Sequence, residues 1–372
     1  MSTAPDNRSL FESFRRRIKL EGAITVADYM ADVLIAPTHG YYMSNEPFGI
    51  SGDFITAPEI SQMFGELIGF WCADTWYNMG GPTEIHLIEM GPGRGTLMSD
   101  VMRAAAMVPG FHQAVKIHLI EVSPKLRKKQ KETLSGYDVN WYDDLTDLPN
   151  GPSIFIANEF FDALPIRQFE RSPKGWSERL ITLNEDETDL VFTLSPPSKS
   201  IETIIPQELV GSHEGAVVEL SSIAANVSAQ ISHHIVKHGG AGLFVDYGWA
   251  IPTAKPSLQA VRNHKKHDVL QEPGTADLSA FVDFPTLKKS AEANGASVHG
   301  TISQEDFLRS LGIEQRAEML RQNADDKQAI DITAAEHRLT DPSQMGNLFK
   351  VMALTNPDQP TPAAFPESKE AT

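Results

Sequence analysis

Within the first 80 positions, apolar residues recur at helical spacing behind capping signals. Ser9 followed by Glu12 has the form of a capping box and opens a helix. Thr25 with Asp28 opens a second, carried through Tyr29 and Met30 to about Ile35, before Pro37 stops it. A loop from His39 to Asp53 follows. Thr56 and Glu59 form a further capping box, with Pro58 near the first helical position, where its missing N–H costs nothing. Beyond it Ile60, Met63, Phe64, Leu67, Ile68 and Trp71 fall on one helical face.

Past Gly80-Gly81-Pro82 the period changes. Short apolar runs alternate with helical stretches: Ile85–Met90, Ile117–Val122, Val139–Tyr142, Ser153–Ala157 and Gly242–Val245. Strand, helix, strand at this spacing predicts an α/β fold with a parallel sheet. Arg179–Leu183 and Leu190–Leu194, separated by a polar turn, predict a β-hairpin inserted between two sheet strands. Asn347–Leu354 predicts a final strand. From Asn356 onward Pro, Ala, Ser and Glu dominate, which predicts a disordered tail.

Composition narrows the function classes. The 372 residues hold 32 Lys+Arg against 49 Asp+Glu, a formal charge of −17, with 41% hydrophobic residues. Such a chain buries a full core, in two domains or in one large domain with insertions. The acidic balance argues against nucleic acid, since phosphate contacts need a cationic surface. Cys72, the single cysteine, lies in the apolar run Phe70–Ala73 and reads as a buried hydrophobe suited to a reducing compartment. No run of about 18 apolar residues predicts a membrane span, and Arg15-Arg16-Arg17 is not followed by an apolar signal segment. The chain is read as cytoplasmic.

The strongest chemical feature is Glu89-Met90-Gly91-Pro92-Gly93-Arg94-Gly95, between the first sheet strand and a helical run from Thr96 to Ala106. Glycines there let a ligand approach the backbone, as no Cβ intervenes. A P-loop would need Gly-Lys-Ser/Thr at its end, which is missing. A dinucleotide loop would need glycine where Thr96 stands. Glycines two apart behind an acid are instead the form class I methyltransferases use for S-adenosyl-L-methionine. Glu121, at the carboxyl end of the second strand, is placed to accept the ribose hydroxyls, and Asp143 or Asp144, after the third, to meet the adenine amino group.

After the fourth strand comes Ala157-Asn158-Glu159-Phe160-Phe161-Asp162-Ala163-Leu164-Pro165, where the methyl acceptor of this fold class meets the donor. A guanidinium acceptor is not deprotonated beforehand. Carboxylates can pair with it, gather its charge on one nitrogen and take the proton as the bond forms. Glu159 and Asp162 are the candidates, with Asn158 beside them. The competing reading is a capped turn. His264 and His267, flanked by Lys265 and Lys266, read as a solvated loop, and no metal is expected.

Gly40-Tyr41-Tyr42, the block from Gly52 to Glu66, Glu89–Gly95, Ala157–Pro165, Val245–Gly248, Gly274–Phe284 and Met345–Val351 together resemble the MidA-type methyltransferases. That family includes a mitochondrial complex I assembly factor. The matches run from about residue 20 to 354. The resemblance implies a Rossmann-like class I methyltransferase sheet, S-adenosyl-L-methionine as donor, and a protein arginine as acceptor, on a subunit of respiratory NADH dehydrogenase. It implies that Gly91, Gly93, Gly95 and Glu121 bind the donor, and that Asp53, Thr56, Glu59 and Gln62 belong to a covering segment. Tyr42 would wall the pocket. On this reading residues 1–80 form a helical cover and 81–165 with 236–355 the core. Residues 166–235 are an insertion and 356–372 the disordered tail. The Thr-His-Trp loop of better-known arginine methyltransferases is not present. A nicotinamide-dependent oxidoreductase and a non-catalytic assembly chaperone stay open as alternatives.

Overall fold

The run Ile85–Met90 is an inner strand of a large mixed sheet in the computed structural model, which describes residues 8–44 and 56–367. Asp53 and the Ser9 side chain, the latter expected to cap the first helix, lie outside the described residues. The chain divides into two compact units, residues 1–54, 162–225 and 251–285 in one, and 55–161, 226–250 and 286–372 in the other.

The second unit carries the sheet. Its strands are β1 (Ile85–Met90), β2 (Val115–Ile120), β3 (Val139–Tyr142), β4 (Ser153–Asn158), β5 (Gly240–Trp249), β6 (Ser297–Ser303) and β7 (Phe349–Thr355). They lie in the order β3-β2-β1-β4-β5-β7-β6. The first five are mutually parallel, with Ile85 opposite Val115, His86 opposite Ser153, and Gly240 opposite Ser153. β7 is antiparallel to both of its neighbours, β5 and β6. β1 and β4 are buried along their whole length, and burial on both faces explains why they read as continuous apolar runs. The reversal of strand order about β1 creates a crevice at the carboxyl ends, where open α/β sheets bind ligands.

Helix α1 (Gln62–Asn78) packs on α2 (Thr96–Ala105) through glycines four residues apart. A Cβ on Gly65 would stand 2.5 Å from Asp100 Cβ, and one on Gly69 2.8 Å from the Val101 carbonyl oxygen. No other residue permits that approach, which seats α2 behind the glycine loop. Glu66, 5% exposed on α1, is matched by Arg103 at 3.0 Å and Arg316 at 2.7 Å.

Two expectations are corrected here. Thr56 makes no side-chain cap, and the helix breaks at extended Ser61, whose hydroxyl accepts from Met63 N and starts α1 afresh. Glu59, expected to return to the Thr56 backbone, is instead held by Thr96 Oγ1 at 2.7 Å. Nor are residues 356–367 disordered. Phe365 is buried beside Phe307, and Trp71 Nε1 donates to the Ala363 carbonyl at 3.2 Å. One apolar anchor suffices to dock a polar, proline-rich end.

In the first unit, Thr25 and Asp28 form the capping box read from sequence, opening the helix Val26–Ile35. That helix and Arg8–Glu21 bury Phe14, Tyr29, Met30 and Val33 against Ile181, Leu190 and Leu278. The hairpin pairs Gly175–Leu183 with Leu190–Leu194, Arg179 opposite Leu194 and Leu183 opposite Leu190. His264 lies in the exposed turn of a second hairpin: Arg262 faces Lys265, and Asn263 and His264 take the positive φ of a two-residue turn. The expected cover is therefore not one body, since residues 8–44 group with this unit and α1 with the sheet.

Candidate functional site

The glycine loop leaves β1 with Gly91, Gly93 and Gly95 all at positive φ, at 61°, 52° and 82°. The Gly91 N–H donates to Ile120 O and the Gly95 N–H to Pro92 O, which fixes the turn. A Cβ on Gly91 would meet Phe160 Cδ2 at 3.0 Å. Gly95 then serves as N-cap of α2, so the loop delivers its backbone directly to a helix start.

Glu89, the last acid of β1, is 3% exposed. Burial pushes its carboxyl up to about 8, and a backbone N–H from Met98 opposes that shift. Its Oε2 has no hydrogen-bond partner among the described residues. A buried carboxylate oxygen left alone is costly, and a cationic ligand group would satisfy it and restore its charge.

Glu121, after β2, is 7% exposed but better supported. Oε1 accepts from Ser123 N at 2.8 Å and Oε2 from Gln130 Nε2 at 3.1 Å. Burial raises its pKa while these two donors pull it down. Asp144, by contrast, is exposed, and its Oδ1 accepts from Thr146 N at 2.7 Å, a local turn that lowers its pKa. Neighbouring Asp143 pairs with Arg127 at 2.6 Å.

The acidic loop follows β4. Asn158 is buried, and its Oδ1 is a second acceptor without a partner among the described residues. Glu159 stands at φ 48°, unusual for a residue with a side chain. Its N–H donates to Val245 O at 2.9 Å and its Oε1 accepts from Ala57 N at 3.0 Å. Fully buried Asp246 holds the next two residues, accepting from Phe160 N at 3.1 Å and Phe161 N at 3.0 Å. The backbone twist at Glu159 is thus clamped from β5.

One unit therefore brings together the three loop glycines, Glu89, Glu121, Asn158 and Glu159, with Glu59 bonded to Thr96 at the start of α2. Gln62, at the head of α1, is exposed, and Thr56 precedes the short helix Ala57–Ile60. Tyr42 and Asp162 belong to the other unit. There the Tyr42 hydroxyl donates to Asp277 Oδ1 at 2.9 Å; burial, then the negative charges of Asp277 and Asp162, push its pKa up. The Asp162 carbonyl accepts from Ala280 N. Among the described residues no group of His, Cys, Asp and Glu could hold a metal ion.

Sequence reasoning missed two residues that hold the site. Asp246 appeared only as part of a motif, although a lone acid inside an otherwise uncharged strand is itself a signal. Gln130 escaped notice entirely. On α3 (Pro124–Thr133), otherwise basic, only Leu126 and Gln130 are buried, an i,i+4 stripe that could have drawn attention to it.

Residues 67–302 match a sequence family described as S-adenosyl-L-methionine-dependent methyltransferase. The chain is 37% identical over 380 residues to zebrafish (Danio rerio) protein arginine methyltransferase NDUFAF7, mitochondrial, covering 95% of this chain and 89% of the relative. It is 37% identical over 364 residues to the Homo sapiens protein of that name, covering 91% and 81%. Among solved structures, a protein from Burkholderia thailandensis bound to S-adenosyl-homocysteine superposes with a TM-score of 0.86 at 27% identity, over 98% of this chain and 97% of that one.

Proposed function

This chain belongs to the S-adenosyl-L-methionine-dependent methyltransferase family, and from that premise we propose that it methylates an arginine side chain carried by a protein. The relatives' names support the acceptor class. The observation that carries the donor site is the orphaned Glu89 Oε2 behind three positive-φ glycines. A donor with an ammonium group and no phosphate fits that acceptor.

On this reading the backbone of Gly91, Gly93 and Gly95 lines the amino-acid end of the donor, Glu89 takes its ammonium, and Glu121 takes the ribose hydroxyls. Asp144 is assigned to the adenine amino group. When bound, the donor supplies a methyl group on a sulfonium, open to in-line attack. Glu159 pairs with the incoming guanidinium, concentrates its charge on one nitrogen and accepts the proton released as the other is methylated. The unpartnered Asn158 Oδ1 takes a guanidinium N–H, which fixes the attack line.

The acceptor protein is read as a subunit of respiratory NADH dehydrogenase, modified during assembly, on the strength of the family resemblance. The compartment is read as cytoplasmic, which suits a chain whose one cysteine, Cys72, is buried; the relatives named above are mitochondrial. No helix among the described residues is long and apolar enough to cross a membrane. Mass spectrometry of NADH dehydrogenase subunits from cells with and without this gene tests the proposal. Loss of a methylarginine is expected on deletion, restored by the wild-type gene; identical peptides in both strains would reject the target.

A further inference from the structure

Gln130 is completely buried on α3 and bonded three ways. Its Nε2 donates to the Gly93 carbonyl at 2.8 Å and to Glu121 Oε2 at 3.1 Å, while its Oε1 accepts from the Trp141 indole N–H at 2.9 Å. These partners force one orientation of the amide. Reversed, its oxygen would face two acceptors and its NH2 would face an indole that can only donate. Trp141 on β3 is itself held, with Lys131 Nζ 5.1 Å from its ring centroid.

We infer that Gln130 is a positioning residue of the donor site, tying the glycine loop to the ribose-binding acid and fixing the direction in which the Glu121 carboxylate is turned. The inference rests on the donor-site reading above. The amide spans two segments, the β1–α2 loop and the β2–α3 turn, that must keep a fixed separation to hold one ligand between them. It also places an N–H on an oxygen of that carboxyl, opposing the upward push of burial on its pKa. The other charged groups around Glu121 are few. Arg127 Nε donates to the Glu121 carbonyl at 2.6 Å and Arg127 Nη2 pairs with Asp143; Glu89 lies on neighbouring β1, and Lys131 above Trp141.

Two substitutions give opposite signatures in calorimetric titrations of the full chain with S-adenosyl-homocysteine from about pH 6 to about pH 9. Gln130→Leu keeps the bulk and removes the N–H. Glu121 then holds its proton to higher pH, so affinity falls about tenfold at the acid end and recovers as pH rises. Gln130→Glu sets a second carboxyl against Glu121, and the pair must share one proton. Affinity is then retained at the acid end and lost as pH rises. A purely structural role would weaken binding alike at every pH, and that result, or no change in either variant, overturns the inference. Should Gln130→Leu fail to fold, Trp141→Phe frees the Gln130 oxygen and lets the amide turn; a smaller loss, also greatest at the acid end, is expected, and unchanged affinity counts against the inference. Glu121→Gln separates the two claims. If it leaves affinity intact, the donor-site reading itself fails; if it weakens binding and the Gln130 variants do not, only the present inference does.

Discussion

Glu89→Gln should stabilise the free protein while crippling donor binding. The free carboxyl rises from the ordinary 4.5 to about 8 because it is buried with a single N–H for company. The folded state therefore holds a proton that the unfolded state releases, and stability is complete only below the unfolded value. As pH climbs from there toward about 8 it falls by about 1.4 kcal/mol per unit. Over the roughly 2.5 units to pH 7 the wild type forfeits about 3 kcal/mol, and by about pH 8 nearer 5. Glutamine has no proton to lose and keeps the Met98 contact. Its NH2 takes the place of the hydroxyl of the protonated acid, so most of that burial cost is common to the two proteins at low pH.

Denaturant midpoints at about pH 5 and about pH 8 measure the difference directly. Wild type and Glu89→Gln should nearly coincide at the first and separate clearly at the second, the variant being more stable. Donor affinity should move the other way, falling between about tenfold and a hundredfold, because a neutral amide cannot make a charge-assisted contact with an ammonium. Saturating S-adenosyl-homocysteine should also flatten the wild-type slope, since the ligand's cation restores the ionised acid. Equal stability of the two proteins at about pH 8, or a wild-type slope indifferent to ligand, would show that Glu89 does not carry an unmet negative charge at the donor site.

Gly93→Val forces a β-branched residue to φ 52° and should abolish donor binding, and Glu121→Ala should weaken it; calorimetry showing both unchanged would remove the site from this crevice. Glu159→Gln should leave S-adenosyl-homocysteine affinity intact and cut methyl transfer to the acceptor by about a hundredfold, so full turnover would take Glu159 out of the chemistry. Gly69→Val would drive its Cβ to 2.8 Å from the Val101 carbonyl oxygen. It should lower stability by about 3 kcal/mol, read as a depressed thermal midpoint, and an unshifted melt would contradict the close packing of α1 on α2.

The strands were legible because burial on both faces writes an unbroken apolar run into the chain, as in Ile85–Met90 and Ser153–Asn158. The Thr25–Asp28 cap was legible because both partners are local. The pattern of Thr56 and Glu59 looks the same, yet Glu59 is claimed by Thr96, far along the chain, and the cap never forms. Apolar periodicity records which face is buried and says nothing about which polar group meets which. For the same reason the two central acids look alike in sequence. Each stands near the carboxyl end of a parallel strand, Glu89 on β1 and Glu121 just beyond β2. Their roles part only in three dimensions. Glu121 receives a backbone N–H from Ser123 and an amide from Gln130, and both oppose the upward push of burial on its carboxyl. Glu89 receives one N–H and keeps an oxygen unmatched, so its free state favours the proton and only a cation can draw out its charge. On the proposed assignment of these two acids, the ammonium falls to Glu89 because that carboxylate already holds fewer donors than Glu121.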